Sequence, residues 1–214
     1  MSSKPTRVVA VAGNMGAGKS SLVRWLELNL GMLPFFEPHD ENPYLEDFYG
    51  DMQRWALPSQ LFFLVQRFKI HKDIEERART SGRHIVQDRT IYEDAEVFAT
   101  HLFRSGAMSE RDFRMYQDLY GTLRKELAPP DLMIYLRCPV PCLVKRIKKR
   151  GRPFEQSLPR SYLVALDALY ENWFASYRDS ETIVINTDRL DYVEHLFDRQ
   201  ELLDTLRRKL PPST

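Results

Sequence analysis

The sequence has little cysteine, little glycine, almost no net charge and no long apolar run. Only two of its 214 residues are cysteine and nine are glycine, while 31 basic residues nearly balance 30 acidic ones. Cys138 and Cys142, without neighbouring histidines, exclude a zinc cluster or a disulfide scaffold and predict reduced thiols in a cytoplasmic protein. No apolar run approaches the ~20 residues of a membrane span, and the first apolar strand begins at Val8, so we expect neither a membrane segment nor a leader peptide.

The composition indicates an ordinary folded chain. Hydrophobic residues make up 43% and charged residues 29%, which is enough apolar material for one sizeable core and too much for a disordered chain. The balanced charge gives no global field that would hold a nucleic acid or an anionic membrane. We therefore expect a single domain over residues 1–214, with no nucleic-acid or membrane partner.

Short apolar segments alternate with long amphipathic ones, which is typical of a parallel sheet with crossover helices. The pattern therefore predicts an α/β fold with a five-stranded parallel sheet. Interior strands are predicted at 7–13, 84–88, 131–136 and 182–186, with a weaker fifth strand at 32–36. Helices are predicted near 55–81, 90–104, 109–127, 140–150, 160–178 and 190–209.

A phosphate-binding motif is the strongest signal in the chain. Residues 13–20 read GNMGAGKS, a complete G-x-x-x-x-G-K-S between the first strand and a helical segment. The glycines let backbone N–H groups turn towards phosphate oxygens, and the helix N-terminus adds partial positive charge. Lys19 is expected to reach the β- and γ-phosphates of ATP, and Ser20 to hold Mg²⁺. The predicted ATP-binding residues of the loop are Gly13, Asn14, Met15, Gly16, Ala17, Gly18, Lys19, Ser20 and Ser21.

Charged residues end two other predicted strands. Glu37 ends the segment MLPFFE, and Asp88 and Arg89 end the segment HIVQDR. Because the carboxyl ends of parallel strands line one crevice, we expect all three side chains to face the transferring phosphate. A carboxylate there can take a proton from an attacking hydroxyl, and the arginine can stabilise developing charge.

A basic segment, RIKKRGRPFEQ, occupies residues 146–156. We interpret residues 146–157 as a flexible arginine-rich lid that closes over phosphates and excludes water. The alternative interpretation of such a basic run is a nucleic-acid patch, which the balanced total charge disfavours.

These motifs together resemble the deoxyribonucleoside kinase family, and most of all its bacterial deoxyadenosine and deoxyguanosine kinases. The resemblance rests on GNMGAGKSS, the Glu-Pro after the second strand, ENPYLEDFYGDMQRWALPSQLFFLVQRFK, QDRTIYED and RIKKRGRPFEQ, and it reaches about residue 175. It implies a P-loop kinase fold, ATP as phosphate donor, Mg²⁺ as metal ion and phosphorylation of a deoxynucleoside at its 5′-hydroxyl. It also implies that Glu37 is the catalytic base and that Arg89 lies beside it.

Positions that match the family's substrate site carry further assignments. Tyr49 and Glu155 match the pair that holds the sugar 3′-hydroxyl. Gln60 and Arg67, seven residues apart, share a helix face and interrupt an apolar run, which suits side chains that read a base. The residues matched to the nucleoside are Glu37, Tyr49, Gln60, Arg67, Arg89, Asp94, Phe98 and Glu155.

Positions that match the metal site and the lid complete the predicted site. Asp88 stands where many family members have glutamate, and it is expected to hold Mg²⁺ together with Ser20. Arg146, Arg150 and Arg152 match the lid arginines and extend the ATP site. The expected catalytic set is Lys19, Glu37, Asp88 and Arg89.

The acceptor stays open between related nucleosides. The segment QDRTIYEDAEVF is more similar to deoxyadenosine-type than to deoxyguanosine-type bacterial kinases, so we expect deoxyadenosine as substrate, with deoxyguanosine and deoxycytidine as alternatives. A nucleoside monophosphate kinase shares the phosphate loop and the lid, but carboxylates at the acceptor site would repel its substrate phosphate. A regulatory P-loop protein would need neither a lid nor a base-reading glutamine.

Two apolar helix faces leave the oligomeric state open. Both faces either pack on the sheet or pair with a second chain, and the family resemblance implies a homodimer. One face comprises Phe113, Tyr116, Leu119, Tyr120, Leu123 and Leu127, and the other comprises Ile91, Ala95, Phe98 and Leu102.

Overall fold

The structure is a computed structural model that describes residues 6–37, 41–188 and 196–209. Its centre is one parallel sheet of five strands. The strands are β1 (Val8–Gly13), β2 (Leu33–Phe35), β3 (Ile85–Asp88), β4 (Leu132–Arg137) and β5 (Glu181–Asn186). Their order is β2-β3-β1-β4-β5, so that Val9 of β1 pairs with Val86 on one side and with Leu132 on the other. The predicted five-stranded α/β fold is confirmed.

Helices flank this sheet and agree with most of the predicted segments. The predicted bounds differ from the observed ones by a few residues at most for the helices expected at 55–81, 109–127, 140–150 and 160–178. Residues 190–195 of the last predicted helix lie outside the described residues. The helices are α1 (Lys19–Leu30), α2 (Leu45–Gly50), α3 (Met52–Thr80), α4 (Ile91–Glu93), α5 (Thr100–Arg104), α6 (Glu110–Arg124), α7 (Val140–Arg150), α8 (Arg160–Ser176) and α9 (Leu196–Lys209).

The long helix α3 carries one buried face of mixed polarity. It begins after Asp51, whose side chain accepts a hydrogen bond from the N–H of Arg54 at 3.1 Å and so caps the helix. Its buried residues include Gln60, Leu64 and Arg67, which confirms that Gln60 and Arg67 share a face. The short helix α2 that precedes it was not predicted.

The predicted interior position of the strand at 182–186 is wrong, because β5 is an edge strand. Val184 keeps 41% of its surface exposed, and Ile185 is the one residue of β5 that is buried. A run of three aliphatic residues is too short to distinguish a strand covered on both faces from one covered on a single face.

The predicted helix at 90–104 is interrupted by a π-helical turn. Residues Asp94–Ala99 form this turn between α4 and α5, and the hydroxyl of Thr100 donates to the carbonyl oxygen of Ala95 at 2.9 Å. Such a turn holds one residue more than an α-helical turn, which apolar periodicity alone does not reveal.

The two apolar helix faces pack largely inside the chain. Phe113, Leu119 and Leu123 are half-buried, and the rest of both faces is buried: Ile91, Ala95, Phe98, Leu102, Tyr116, Tyr120 and Leu127. Packing against the core is therefore the correct interpretation for most of these residues. Val65 on α3 and Met115 on α6 remain exposed, at 41% and 47%.

Two further expectations concern the thiols and the membrane. Cys138 and Cys142 are free thiols. Within the described ranges, no helix is both long and apolar enough to cross a bilayer.

Candidate active site

A cavity of about 640 Å³ lies at the carboxyl ends of β1, β2 and β3, where the phosphate loop was predicted. The predicted site residues that line it are Met15, Gly16, Gly18, Lys19, Ser20, Ser21, Glu37, Tyr49, Gln60, Arg89, Asp94, Phe98, Arg146, Arg150, Arg152 and Glu155. The predicted residues that do not line it are Gly13, Asn14, Ala17, Arg67 and Asp88. The structure therefore brings most of the predicted site together around one cavity.

The phosphate loop depends on glycine at its turns. Gly16 and Gly18 have φ angles of 78° and 102°, in the left-handed region that residues with a Cβ rarely adopt. At Gly13, a Cβ would also lie 2.8 Å from the carbonyl oxygen of Leu136. Gly18 occupies the N-cap position of α1 without a side chain, so the end of α1 is open to an anion.

Lys19 is the buried cation of this loop. Its Nζ donates to the carbonyl oxygens of Gly13 at 2.8 Å and Asn14 at 3.2 Å. Burial, reinforced by the nearby charge of Arg89, lowers the pKa of Lys19 to about 8, so the ammonium would be stabilised by a bound phosphate. The side chain of Asn14, which does not line the cavity, donates to the carbonyl oxygen of Leu163 at 3.2 Å and so stabilises the phosphate loop.

Asp88 does not line the cavity itself but contacts Ser20, which does, and its predicted role stays a prediction. Its side chain is buried, and Oδ2 accepts a hydrogen bond from the hydroxyl of Ser20 at 2.5 Å. Arg89 follows the last residue of β3 with a φ of 65°, so the strand geometry ends between Asp88 and Arg89. The second oxygen, Oδ1, is buried without a hydrogen-bond partner, which together with the Ser20 hydroxyl suits a hard cation.

Glu37 is held by two arginines from different elements. Oε1 of Glu37 accepts from Arg67 on α3 at 2.6 Å and from Arg89 after β3 at 3.0 Å. Arg89 also lies over the ring of Phe98, with 4.5 Å between its guanidinium carbon and the ring centroid. The carboxylate of Glu37 therefore has a fixed orientation at the edge of the cavity.

Arg67 does not line the cavity, and its predicted contact with a base stays a prediction. The residue is 1% exposed, and its guanidinium donates to Oε1 of Glu37, to Oδ2 of Asp94 at 2.5 Å and to the carbonyl oxygen of Asp88. Nε, Nη1 and Nη2 of Arg67 each donate one of these hydrogen bonds. Arg67 orients the two carboxylates that do line the cavity.

Gln60 and Asp94 line the part of the cavity between α3 and the π-helical turn. Gln60 is buried, and its Oε1 has no hydrogen-bond partner. Burial raises the pKa of Asp94 to about 6, against the opposing charge of Arg67, so the carboxylate is ionised at neutral pH. The pair offers an amide that both donates and accepts, next to a group that only accepts.

The predicted lid is partly helical, which corrects its description as a flexible loop over 146–157. Helix α7 continues through Arg150 and ends at Gly151, which has a φ of 75°. Basic residues in the last turn of a helix interact favourably with its negative end, which stabilises this extension. Arg146 donates to the carbonyl oxygens of Ala17 at 3.2 Å and Thr187 at 2.6 Å, so it braces the phosphate loop.

Tyr49 and Glu155 lie on the same cavity, as predicted. The ring of Phe154 stacks on that of Tyr49 at 5.4 Å between centroids. Glu155 is buried and forms ion pairs with Arg150 and Arg152. Burial raises the pKa of the Tyr49 phenol well above its usual range, so this hydroxyl remains a hydrogen-bond donor.

Six residues that line the cavity were not assigned from the sequence: Leu45, Phe48, Phe63, Lys149, Phe154 and Tyr162. Glu93, which does not line it, was also missed. Tyr162 of α8 lines the cavity, but it is one apolar position among several in its helix and carries no distinguishing signal. Glu93 is completely buried, and it accepts hydrogen bonds from the backbone N–H groups of Gly13 and Thr90. The pattern T-x-x-E at 90–93 is a capping box and was the available signal for Glu93.

Comparison with known proteins places these features in a family. The family model described as deoxynucleoside kinase matches residues 9–210. A deoxyadenosine/deoxycytidine kinase of Bacillus subtilis (strain 168) is 34% identical, with 93% of this chain and 91% of the relative covered. A deoxyguanosine kinase of Lactobacillus acidophilus is 36% identical, with 95% and 90% covered. The solved structure of deoxyadenosine kinase from M. mycoides with bound dATP matches with a TM-score of 0.82 at 28% identity, and covers 94% of this chain and 99% of that one. This chain belongs to the deoxynucleoside kinase family.

Proposed function

We propose that the protein transfers the γ-phosphoryl group of ATP to the 5′-hydroxyl of a purine 2′-deoxynucleoside, foremost deoxyadenosine, giving dAMP. The observation that carries this proposal is the position of Glu37. Its carboxylate lines the same cavity as the phosphate loop and is oriented by Arg67 and Arg89. A carboxylate fixed in this way is suited to accept the proton of a neutral hydroxyl.

The phosphate loop and its neighbours form the ATP side of the proposed site. Lys19 would exchange its contacts with two backbone carbonyls for the β- and γ-phosphates. Arg150 and Arg152 line the cavity and would add positive charge around the phosphates. Ser20 and the unpartnered oxygen of Asp88 fit Mg²⁺, which neutralises charge on the phosphates when bound.

Glu37 and Arg89 form the acceptor side. As the new P–O bond forms, the 5′-hydroxyl would give its proton to Glu37, and the bond between the γ-phosphorus and the ADP oxygen would break. Arg89, 3.0 Å from Glu37, would stabilise negative charge on the transferred group. The stacked rings of Tyr49 and Phe154 help to keep water out of the cavity, which limits loss of the phosphoryl group to hydrolysis.

A hydroxyl fits this acceptor side better than a phosphate. Glu37 and Asp94 both line the cavity, and their charges would repel the dianionic acceptor of a nucleoside monophosphate kinase. Asp88 contacts Ser20 on the phosphate-loop side and adds little to this repulsion. A regulatory P-loop protein is disfavoured by Gln60, whose buried oxygen has no hydrogen-bond partner among the described residues.

The side chains around the base support deoxyadenosine first and deoxycytidine second. Asp94 is ionised at neutral pH and only accepts hydrogen bonds, so it favours a base edge that carries an amino group. Adenine and cytosine carry an amino group at the position where guanine carries a carbonyl oxygen. The amide of Gln60 can then accept from that amino group and donate to the adjacent ring nitrogen.

A panel of deoxynucleosides tests the proposed function. With ATP and Mg²⁺, we expect kcat/KM to be highest for deoxyadenosine and about tenfold or more lower for deoxyguanosine, because a carbonyl oxygen facing Asp94 leaves an unfavourable pair. The product should be the 5′-monophosphate by chromatography. Lys19→Ala is the control that should lose most turnover with every acceptor. ATP hydrolysis that does not depend on a nucleoside, or phosphorylation of dAMP, would contradict the proposal, and a preference for deoxyguanosine would contradict the role of Asp94.

Glu37→Gln separates proton transfer from binding. The substitution keeps the size of the side chain and a hydrogen-bond acceptor for the arginines but removes the base, so kcat should fall by about 10²-fold or more with little change in nucleoside affinity. Glu46→Gln, an exposed position on α2, is the matched control and should behave like the unmodified enzyme. An unchanged kcat would show that alignment of the substrate alone accounts for the rate.

The sugar 3′-hydroxyl provides a test of Tyr49 and Glu155. A hydroxyl held by polar groups leaves them unpaired when it is absent, so a 2′,3′-dideoxynucleoside should be phosphorylated about 10 to 100 times less efficiently than its 2′-deoxy parent. Tyr49→Phe should narrow this gap by slowing mainly the parent. Tyr44→Phe, a tyrosine that stacks on Trp55, is the control and should keep the full gap. If Tyr49→Phe also keeps it, Tyr49 does not contact the 3′-hydroxyl.

We further propose that the protein is a homodimer that pairs through the outer faces of α3 and α6. The helices α3 and α6 are in contact, Val65 and Met115 on them are exposed, and Phe62 and Phe113 on them are half-buried. Such side chains lose water contact favourably when a second copy covers them. The buried parts of the two predicted apolar faces take no part in this surface.

Light scattering at micromolar concentration tests the dimer. We expect a mass of twice that of one chain, and a shift to the mass of one chain in the double variant Val65→Glu, Met115→Glu, because buried unpaired charges destabilise an interface. Leu28→Glu, at a position 82% exposed on α1, is the control and should stay dimeric. A monomeric mass for the unmodified chain would refute the proposal.

A further inference from the structure

Glu93 is a buried carboxylate that does not line the cavity and yet contacts both halves of the site. Its Oε1 accepts from the N–H of Gly13 at 3.2 Å and from the hydroxyl of Tyr170 at 3.0 Å, and lies 3.7 Å from Nε of Arg89. Its Oε2 accepts from the N–H of Thr90 at 2.8 Å and from the Thr90 hydroxyl at 3.3 Å. Every one of these neighbours is a donor.

On the acceptor side, Glu93 fixes the backbone next to Arg89. Arg89 has a φ of 65°, a strained conformation for a non-glycine residue that persists only where surrounding contacts enforce it. The hydrogen bonds between Thr90 and Glu93 form a capping box that starts α4 directly after Arg89. The same carboxylate therefore holds the corner of the chain from which the guanidinium of Arg89 reaches Glu37.

On the donor side, Glu93 fixes the start of the phosphate loop. Gly13 is its first residue, and its N–H points to Glu93 instead of to the cavity. Tyr170, which donates to the same oxygen, lies on α8, the helix that follows the lid. One buried side chain thus joins the phosphate loop, the acceptor arginine and the helix after the lid.

We propose that Glu93 is a positioning residue for phosphoryl transfer. Its carboxylate fixes the position of Arg89 relative to the phosphate loop. This inference rests on the proposed function and adds a residue to it. A glutamine cannot replace the carboxylate, because either rotamer of its amide places an NH₂ group against a backbone N–H, that of Gly13 or that of Thr90. The resulting displacement would act on the alignment of the reacting groups and not on contacts with the base.

The test compares Glu93→Gln with Glu96→Gln, which makes the same change on the next turn at a half-buried residue that accepts from Tyr120. Glu93→Gln should lower kcat by about 10- to 100-fold, the loss expected when reacting groups are misplaced by a fraction of an ångström to an ångström, while the KM for the nucleoside changes by less than about threefold. Glu96→Gln should leave both unchanged. The double variant Glu93→Gln, Arg89→Lys should lose clearly less than the product of the two single losses, because Glu93 acts largely through Arg89.

Three results would overturn the inference. The first is a normal kcat in folded Glu93→Gln, and the second is a double variant whose losses multiply. Thermal denaturation shows whether Glu93→Gln is folded; if it is not, Tyr170→Phe removes one hydrogen-bond donor to Glu93 and leaves the carboxylate in place. An unchanged kcat in Tyr170→Phe is then the third such result. A several-fold lower kcat at unchanged KM in Tyr170→Phe supports the inference. No turnover by the unmodified chain would overturn the proposed function together with this inference, while normal turnover by the unmodified chain and by Glu93→Gln would overturn the inference alone.

Discussion

The pairing of Glu37 with Arg67 and Arg89 is the interaction on which the rest of the site depends. Three segments of the chain meet there: the end of β2, the middle of α3 and the corner after β3. Both guanidinium groups are almost completely buried, and removing one partner of a buried ion pair leaves an unpaired charge that costs ~3–5 kcal/mol. The ionic contacts that orient the acceptor carboxylate therefore also hold α3 against the sheet, so that stability and site geometry share the same groups.

Local motifs explain why much of the site could be predicted from the sequence. The phosphate loop is contiguous, and its glycines, Lys19 and Ser20 carry the signal within eight residues. A parallel sheet then follows from the alternation of apolar and amphipathic segments, and the carboxyl ends of parallel strands bring Glu37 and Arg89 to the same edge as the loop. The assignments of Tyr49, Gln60 and Glu155 came from resemblance to a family, since their spacing alone did not connect them to the cavity.

Other features could not be predicted because they depend on contacts between distant segments. Whether Arg67 faces the cavity or its rear depends on which carboxylates reach it, and Asp94 and Glu37 lie 27 and 30 residues away in the chain. The direction of the Asp88 side chain depends on the position of Ser20 in the first turn of α1. The position of β5 at the edge of the sheet depends on strand order, to which its own composition contributes little. In each case the local pattern fitted two arrangements and tertiary packing selected one.

The π-helical turn at Asp94–Ala99 has a consequence for how this family can change its substrate. A π turn differs from an α turn by one residue, and one residue of an α-helix corresponds to a rotation of about 100°. Asp94 and Phe98, which line the cavity, lie within this turn, while Leu102 on α5 is buried in the core. The insertion or deletion of a single residue here would rotate the cavity-lining side chains relative to the core-packing ones. Evolution of base selectivity in this fold therefore has a route through chain length as well as through substitution, and that route leaves the phosphate loop untouched.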